Sequence, residues 1–366
     1  MDPKEVFSNN GGVKKTKVGT SITKCDSCGS TMVFDPSDGR LRCIHCSSRK
    51  PIAITRSFEI PYREDNVFDL SSADDRAMSF RCKSCGAVSM MNSFETTEKC
   101  PFCGVDNIVQ LEDLPIIKPN AILPFSVTLD SATEAFKKWI NKKLLSPKQF
   151  KRNFTVENVR GAYLPAWTFD AQTVCHYRGR LGKYETVVVG SGKNRRTERV
   201  LRWFHVSGSM NRNIDDFMIE ASKSINQKDL SRVSPFDTHA SVGFNQDFLA
   251  GFSAERYDKE LDTACAEMKD VVKRQFHDAI MRKYNADRCD FLDLNVIYNN
   301  LTYRHILLPM WIDNYVYRNK SYRVLVNGRT AKVGGTAPKS VAKVSALVAL
   351  GVAAVVVIAL YFAGII

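Results

Sequence analysis

Histidine is scarce in this chain: six in 366 residues, with no two at the four-residue spacing of a helix face and none grouped with carboxylates. That scarcity leaves no His-x-x-x-His metal site and no histidine-centred catalytic constellation to argue for. Nucleotide-binding motifs are missing as well. Val189-Gly-Ser-Gly-Lys193 has the glycines of a phosphate loop, but its spacing departs from G-x-x-x-x-G-K-[ST] and Asn194 follows the lysine. A basic hairpin tip of Lys193, Arg195 and Arg196 is expected there, and an enzymatic role has nothing else in its favour. The first fifty residues hold no apolar run long enough for a signal peptide, so the expected compartment is the reducing cytoplasm. From Val344 to Ile366, charge is absent altogether.

What is present suits a folded protein: 44% hydrophobic and 25% charged residues, with chain enough for two or three domains. Residues 1–20 are polar and basic without apolar periodicity, the pattern of a flexible lead-in. The formal charge of +13 is unevenly spread, because residues 1–115 balance at −1 and the remainder carries +14.

Eight of the eleven cysteines fall into four C-x-x-C pairs: Cys25/Cys28, Cys43/Cys46, Cys82/Cys85 and Cys100/Cys103. Fourteen residues separate the first pair from the second, and fourteen the third from the fourth. Lys24-Cys-Asp-Ser-Cys-Gly is echoed by Arg81-Cys-Lys-Ser-Cys-Gly, so the module is duplicated at an offset of 57 residues. A C-x-x-C followed by glycine makes a tight knuckle, with Gly29, Gly86 and Gly104 supplying the positive φ of the turn. Two knuckles on adjacent hairpins close a four-thiolate tetrahedron that holds zinc at about 2.3 Å with no open position, a structural site. Each unit is too small for a core of its own, so metal binding and folding should be one event. Two zinc ions are expected, one on Cys25, Cys28, Cys43 and Cys46, the other on Cys82, Cys85, Cys100 and Cys103. Iron is the competing metal, since Cys100-Pro-Phe-Cys-Gly104 is a knuckle also used by rubredoxins, although these space their pairs more widely. A thioredoxin-like dithiol would need one pair on a βαβ frame. His45 reads as a spacer, and Cys175, Cys265 and Cys289 as small core residues.

The 23 uncharged residues 344–366 would make a helix about 34 Å long, enough for a hydrocarbon core of roughly 30 Å. Arg329, Lys332, Lys339 and Lys343 on the near side imply a single-pass anchor in the cell membrane with the N-terminal domains cytoplasmic. Ser345, Ala349 and Ala353 share one face and offer a helix–helix contact strip.

Between these ends the spacing predicts a helix from Ser131 to about Leu145, capped by Asp130 or Ser131, with Phe136, Trp139 and Ile140 on one face. Seven basic residues and no acidic one lie between Lys137 and Arg152, fitting anionic lipid, nucleic acid or a plain solvated face. Tyr163-Leu-Pro-Ala-Trp167 reads as an edge strand, because Pro165 cannot donate in a central ladder. Leu308-Pro-Met-Trp311 repeats the L-P-x-W pattern ahead of an alternating run from Tyr315 to Val326, which suggests a second duplication. Val326-Asn-Gly328 reads as a hairpin turn. Ser253 is expected to cap a long helix reaching about Tyr284, with the stripe Tyr257, Leu261, Ala264, Met268, Val271, Gln275, Phe276 and Ile280. The expected class is α+β. Its parts are zinc ribbons at 21–50 and 78–112 joined by a linker (51–77), a mixed domain with a long helix (113–335), a basic linker (336–343) and the membrane helix.

The chain resembles a bacterial family of zinc-ribbon proteins with a C-terminal membrane anchor. The resemblance rests on the knuckles, Gly161-Ala-Tyr-Leu-Pro-Ala-Trp-Thr-Phe-Asp170, Arg202-Trp203, Val206-Ser-Gly208, Asp215-Asp-Phe217, Leu308-Pro-Met-Trp311 and Tyr322-Arg-Val-Leu-Val-Asn-Gly328. It implies a gene neighbourhood with phage-shock-protein A homologues and SPFH (stomatin- or flotillin-like) proteins, and a role in holding the SPFH protein at the membrane, in envelope stress response. The resulting expectation is a non-catalytic scaffold. The alternative is a membrane-associated nucleic-acid binder. Against it, each four-thiolate zinc site adds about −2, which takes residues 1–115 to roughly −5, the wrong sign for phosphate contact.

Overall fold

The computed structural model describes residues 23–63, 76–90, 100–105, 108–115, 119–149, 159–192, 195–318 and 320–362. The lead-in, Lys193 of the expected hairpin tip, and Lys151 and Arg152 of the basic run lie outside them.

The α+β class holds. The first ribbon contributes β1 (Met32–Asp35), β2 (Arg40–Cys43) and β3 (Arg49–Lys50), an antiparallel sheet of its own. Next come β4 (Ile60–Pro61), β5 (Arg76–Cys82), β6 (Val88–Met90), β7 (Ile108–Pro115), β8 (Ala121–Ile122), α1 (Leu129–Lys142), β9 (Arg160–Val189) and β10 (Arg196–Glu220). The remainder is α2 (Gln227–Val233), β11 (Val242–Gly243), β12 (Ser253–Glu255), α3 (Leu261–Lys283), β13 (Arg288–Tyr317), β14 (Lys320–Asn327), β15 (Val333–Gly335) and α4 (Val341–Phe362). β9 and β13, 30 residues each, run antiparallel side by side as a blade, about 100 Å end to end at ordinary strand rise. α3 lies on this blade and buries Leu261, Ala264, Cys265, Met268, Val272, Phe276 and Ile280 against Trp167, Phe169, Cys175, Tyr177 and Tyr303.

The second duplication is built into the strand registers. β9 takes β12 in parallel at Ala162 and Tyr163, while β13 takes β8 in parallel at Ile306 and Leu307. β10 then joins β9 from Ala166 onward, and β14 joins β13 from Met310 onward. Each half is thus a β-α-β-β unit whose short first strand has crossed to the other half. The tryptophans repeat the correspondence. Trp167 Nε1 donates to the Lys259 carbonyl and Trp311 Nε1 to the Val127 carbonyl, both 2.9 Å. Each acceptor is the residue before a helix N-cap, Glu260 and Thr128.

That symmetry corrects the edge-strand expectation. Tyr163 to Trp167 are central, flanked by β13 on one side and by β12 and β10 on the other. Pro165 is tolerated because its missing N–H faces the junction where β12 ends and β10 begins, and its carbonyl accepts from Ala221 N at 3.1 Å. Pro309 sits at the equivalent junction of β8 and β14, its carbonyl accepting from Gly328 N at 2.9 Å.

Other boundaries moved for local reasons. Thr128 caps α1 through its hydroxyl, which accepts from the Ser131 amide, so Asp130 and Ser131 fall in the first turn. Phe136 and Ile140 are buried as expected. Ser253 does not start the long helix: Ser253–Glu255 is captured as a strand between β6 and β9, and α3 begins at Leu261. Val272, rather than Val271 or Gln275, is the buried residue of its middle turns. The alternating run from Tyr315 breaks at Arg318, whose φ of 49° starts the turn into β14. The turn after Val326 joins β14 to β15, but Ala331 takes the left-handed position (φ 56°) and Gly328 instead makes room for the Phe125 ring. Cys175 and Cys265 are core residues; Cys289 is exposed, at the start of β13 near the open end of the blade.

Candidate metal centres

All four C-x-x-C segments have one backbone geometry. The first cysteine of each accepts from the amide four residues on (Gly29, Ser47, Gly86, Gly104; 2.8–3.2 Å) and donates to the carbonyl five residues on (Ser30, Ser48, Ala87, Val105; 2.8–3.0 Å). Gly29, Gly86 and Gly104 have φ of 71°, 77° and 75°. The second knuckle, Cys43–Cys46, departs from the glycine rule, because Ser47 holds the same left-handed conformation at φ 61°. A non-glycine residue there costs about 1–2 kcal/mol, partly offset by the smaller entropy serine loses on folding. Ser47→Gly should therefore raise the stability of the first ribbon by about 0.5–1 kcal/mol. Chelator-challenge unfolding of the two chains side by side checks this, and an unchanged midpoint refutes it.

The sulfurs of Cys25, Cys28, Cys43 and Cys46 lie within 4.8 Å of one another, and so do those of Cys82, Cys85, Cys100 and Cys103. Facing pairs are 3.6 Å (Cys25–Cys46), 3.5 Å (Cys28–Cys43), 3.5 Å (Cys82–Cys103) and 3.8 Å (Cys85–Cys100) apart. A zinc tetrahedron with bonds of about 2.3 Å has sulfur–sulfur edges of roughly 3.8 Å, so both donor sets fit one zinc ion each. His45 is exposed and outside the donor set.

The two sites differ in their surroundings. In the first, the Ser48 hydroxyl lies 2.8 Å from Cys46 Sγ and 3.1 Å from Cys25 Sγ. Its hydrogen bonds, with those from backbone amides, lower the Cys25 thiol to about 6 and also lower Cys46. Val105 holds the matching place in the second site. Sequence reasoning passed over Ser48; its signal was a hydroxyl two residues after a knuckle cysteine. The first cysteine of every knuckle is buried, but Cys85 and Cys103 of the second site are half-buried where Cys28 and Cys46 of the first are exposed. Hydrogen bonding from Cys100 and Cys85 lowers Cys103 to about 4.

Neither ribbon stands alone. Phe34 of β1 packs edge-on against Phe248 (5.4 Å) and near Phe252, in a cluster with Phe125 and Trp311. Phe102, inside the fourth knuckle, is 1% exposed and shares a core with Leu123, Ala162, Leu164 and Ile312. β6 pairs with β12, which continues the second ribbon into the main sheet. The stretch between the ribbons is also tied down where it is described: Ile60–Pro61 pairs with Thr302–Tyr303, and Ile52 is buried.

One histidine does meet carboxylates, contrary to expectation. His239 lies 3.9 Å from both Asp215 and Asp216, 23 or more residues away in sequence, at a bulge in β10. Asp216 is already engaged by the Arg304 guanidinium and by the Thr238 hydroxyl, and its amide donates to Asp170. The group is an ion-pair cluster, and no sequence spacing announces it.

At the other end, α4 has mean hydropathy 2.6 and no residue of it is buried. It starts three residues before the expected span, so Lys343 lies in its first turn; residues 363–366 lie outside the described part.

No family model matches the chain, and no solved structure matches it. It is similar to the uncharacterized protein YdjG of Bacillus subtilis (strain 168), with 26% identity over 331 residues. The match covers 88% of this chain and 92% of that protein.

Proposed function

We propose that this protein is a non-catalytic, membrane-anchored adaptor whose zinc-stapled cytoplasmic domain holds a partner protein at the membrane. The observation that carries the reading is α4: after Lys343 its 19 described residues, about 29 Å as a helix, carry no charge on any face and none is buried, a length and composition suited to lipid. Lys343 ahead of its apolar run, with no aspartate or glutamate nearby, favours a cytoplasmic domain on the near side. Confinement to a surface raises effective concentration and lets several weak contacts act together. The domain offers such contacts in the free end of the β9–β10 hairpin, where Val188, Val189, Val200 and Trp203 are exposed. The resemblance noted above suggests an SPFH or phage-shock-protein-A-like protein as partner. Truncation after Ala337 should release a folded, zinc-bound domain into the cytosol and displace a second protein from the membrane with it. The measurement is the membrane proteome of cells carrying the intact or truncated chain. Persistent sedimentation of the truncated chain at high salt sinks the anchor. Nucleic acid co-purifying at physiological salt, with no protein displaced, replaces the adaptor by a nucleic-acid binder.

A further inference from the structure

Two stretches of the chain lack acidic residues: Ala135 to Val156, and Asn314 to Ile366. They are far apart in sequence, and the fold brings them together at the start of α4. Ser340 N donates to the Leu145 carbonyl at 2.8 Å, and Lys343 Nζ donates to the carbonyls of Leu144 and Ser146, each at 2.8 Å. The contact fixes α4 against the segment that follows α1 and leaves Leu144 79% exposed beside the first turn. Next to it is a cavity of about 620 Å³, walled by Pro147 and Pro338 and by Arg318, Lys320, Tyr322 and Lys339. Arg318 comes from the β13–β14 turn, Lys320 from the first position of β14 beside it and Lys339 from the approach to α4, all three exposed. No carboxylate is among the described residues lining it.

Such a cavity, lined by three cations, with no carboxylate among its described lining residues and a floor made by the first residues of an apolar helix, suits one kind of ligand. We propose that it binds the phosphodiester headgroup of an anionic glycerophospholipid, whose acyl chains would run along α4 while Leu144 dips into the interface. The inference rests on the membrane reading of α4. Three cations drawn from the β13–β14 junction and the approach to α4, all lining one cavity, suit a single phosphate, whereas a diffuse basic face only senses surface potential. A lipid so held would also fix the tilt of the cytoplasmic domain over the membrane, because the cavity walls belong to that domain and its floor to the anchor.

The test uses the full chain in nanodiscs of phosphatidylcholine alone or of an equimolar mixture with phosphatidylglycerol, with native mass spectrometry of the released protein. Phosphatidylglycerol should remain bound to the wild-type chain in preference to phosphatidylcholine. Each cation near an anionic surface is worth about a five-fold change in affinity, so Arg318→Gln/Lys320→Gln/Lys339→Gln should lose roughly a hundred-fold. The control Arg178→Gln/Lys183→Gln/Arg195→Gln, on the far hairpin, should retain the lipid as wild type does. Circular dichroism and zinc content verify that both variants are folded. Equal retention of the two lipids, or equal loss in both triple variants, overturns the proposal while leaving the anchor intact. Displacement of the lipid by glycerol 1-phosphate at comparable concentration overturns it in favour of a free-phosphate site. Failure of the chain to enter phosphatidylcholine nanodiscs overturns the membrane reading, and this inference with it.

Discussion

Cys100→Ser should unfold the whole domain ahead of α4, with loss of near-ultraviolet circular dichroism and a single transition moved below physiological temperature. A four-thiolate zinc site contributes on the order of 10 kcal/mol to the fold that it closes. That is comparable to the entire stability of an ordinary domain, about 5–15 kcal/mol. Whether the loss stays local depends on what else the ribbon's residues do. Phe102, between Cys100 and Cys103, is packed among Leu123, Ala162, Leu164 and Ile312, residues of the sheet that joins the two β-α-β-β units. Releasing the knuckle withdraws this ring and exposes the face beneath it, a cost of about 3–5 kcal/mol by itself. Gly104 packs close to Asn314 of β13, so the knuckle cannot swing away without disturbing that strand. Metal removal by a strong chelator should act like the substitution, and elemental analysis of the intact chain should return two zinc ions. Two separate transitions, with the main one unmoved in Cys100→Ser, would restore the picture of autonomous ribbons.

The small size and even spacing of each cysteine module favour ribbons that fold singly with their own metal, whereas the packing of Phe34 and Phe102 into the rest of the chain argues for one cooperative unit. Cysteine spacing reports which sulfurs meet, because a knuckle is a local structure of six residues. It is silent on where the other face of the module goes. The eight sulfurs and three of the four left-handed residues were legible; Ser47 was not, since nothing in the sequence marks serine as the residue in that turn. The same division runs through the mixed domain. The L-P-x-W pattern discloses the duplication, but a proline in a strand by itself implies an edge position. The structure places each proline at the interior point where one neighbouring strand ends and the next begins, so that no ladder partner is required. The exchange of β8 and β12 between the halves is a long-range pairing, beyond any window of periodicity. α4 was the easiest element to read, because an apolar run needs no partner to declare itself.

The Arg304–Asp216 pair is the other feature invisible in the sequence, and its loss should be costly. Both side chains are 9% exposed. Asp216 is fixed at the β10 bulge with φ 47°, and its amide donates to Asp170 at 2.7 Å. Arg304 is therefore the cation facing two carboxylates. Truncating one partner of a buried pair leaves an uncompensated charge, so Arg304→Ala should destabilise by about 3–5 kcal/mol. Arg304→Met combined with Asp216→Asn should recover part of this, since only Asp170, which burial already pushes toward its neutral form, is then left without its cation. Asp170 sharpens the test. Burial, with Asp216 beside it, raises its carboxyl to about 6 even with Arg304 present. A carboxyl raised on folding binds more protons in the native than in the unfolded state, so its contribution to stability falls as pH rises from about 4 through about 6. Arg304→Ala should push that window upward and steepen the fall, while Asp170→Asn, which keeps the acceptor for the Asp216 amide, should flatten it. Urea midpoints of the three chains between pH 4 and pH 7 measure both effects. Parallel pH profiles for all three would mean that Asp170 is solvated as an ordinary carboxylate and that Arg304 acts by packing alone.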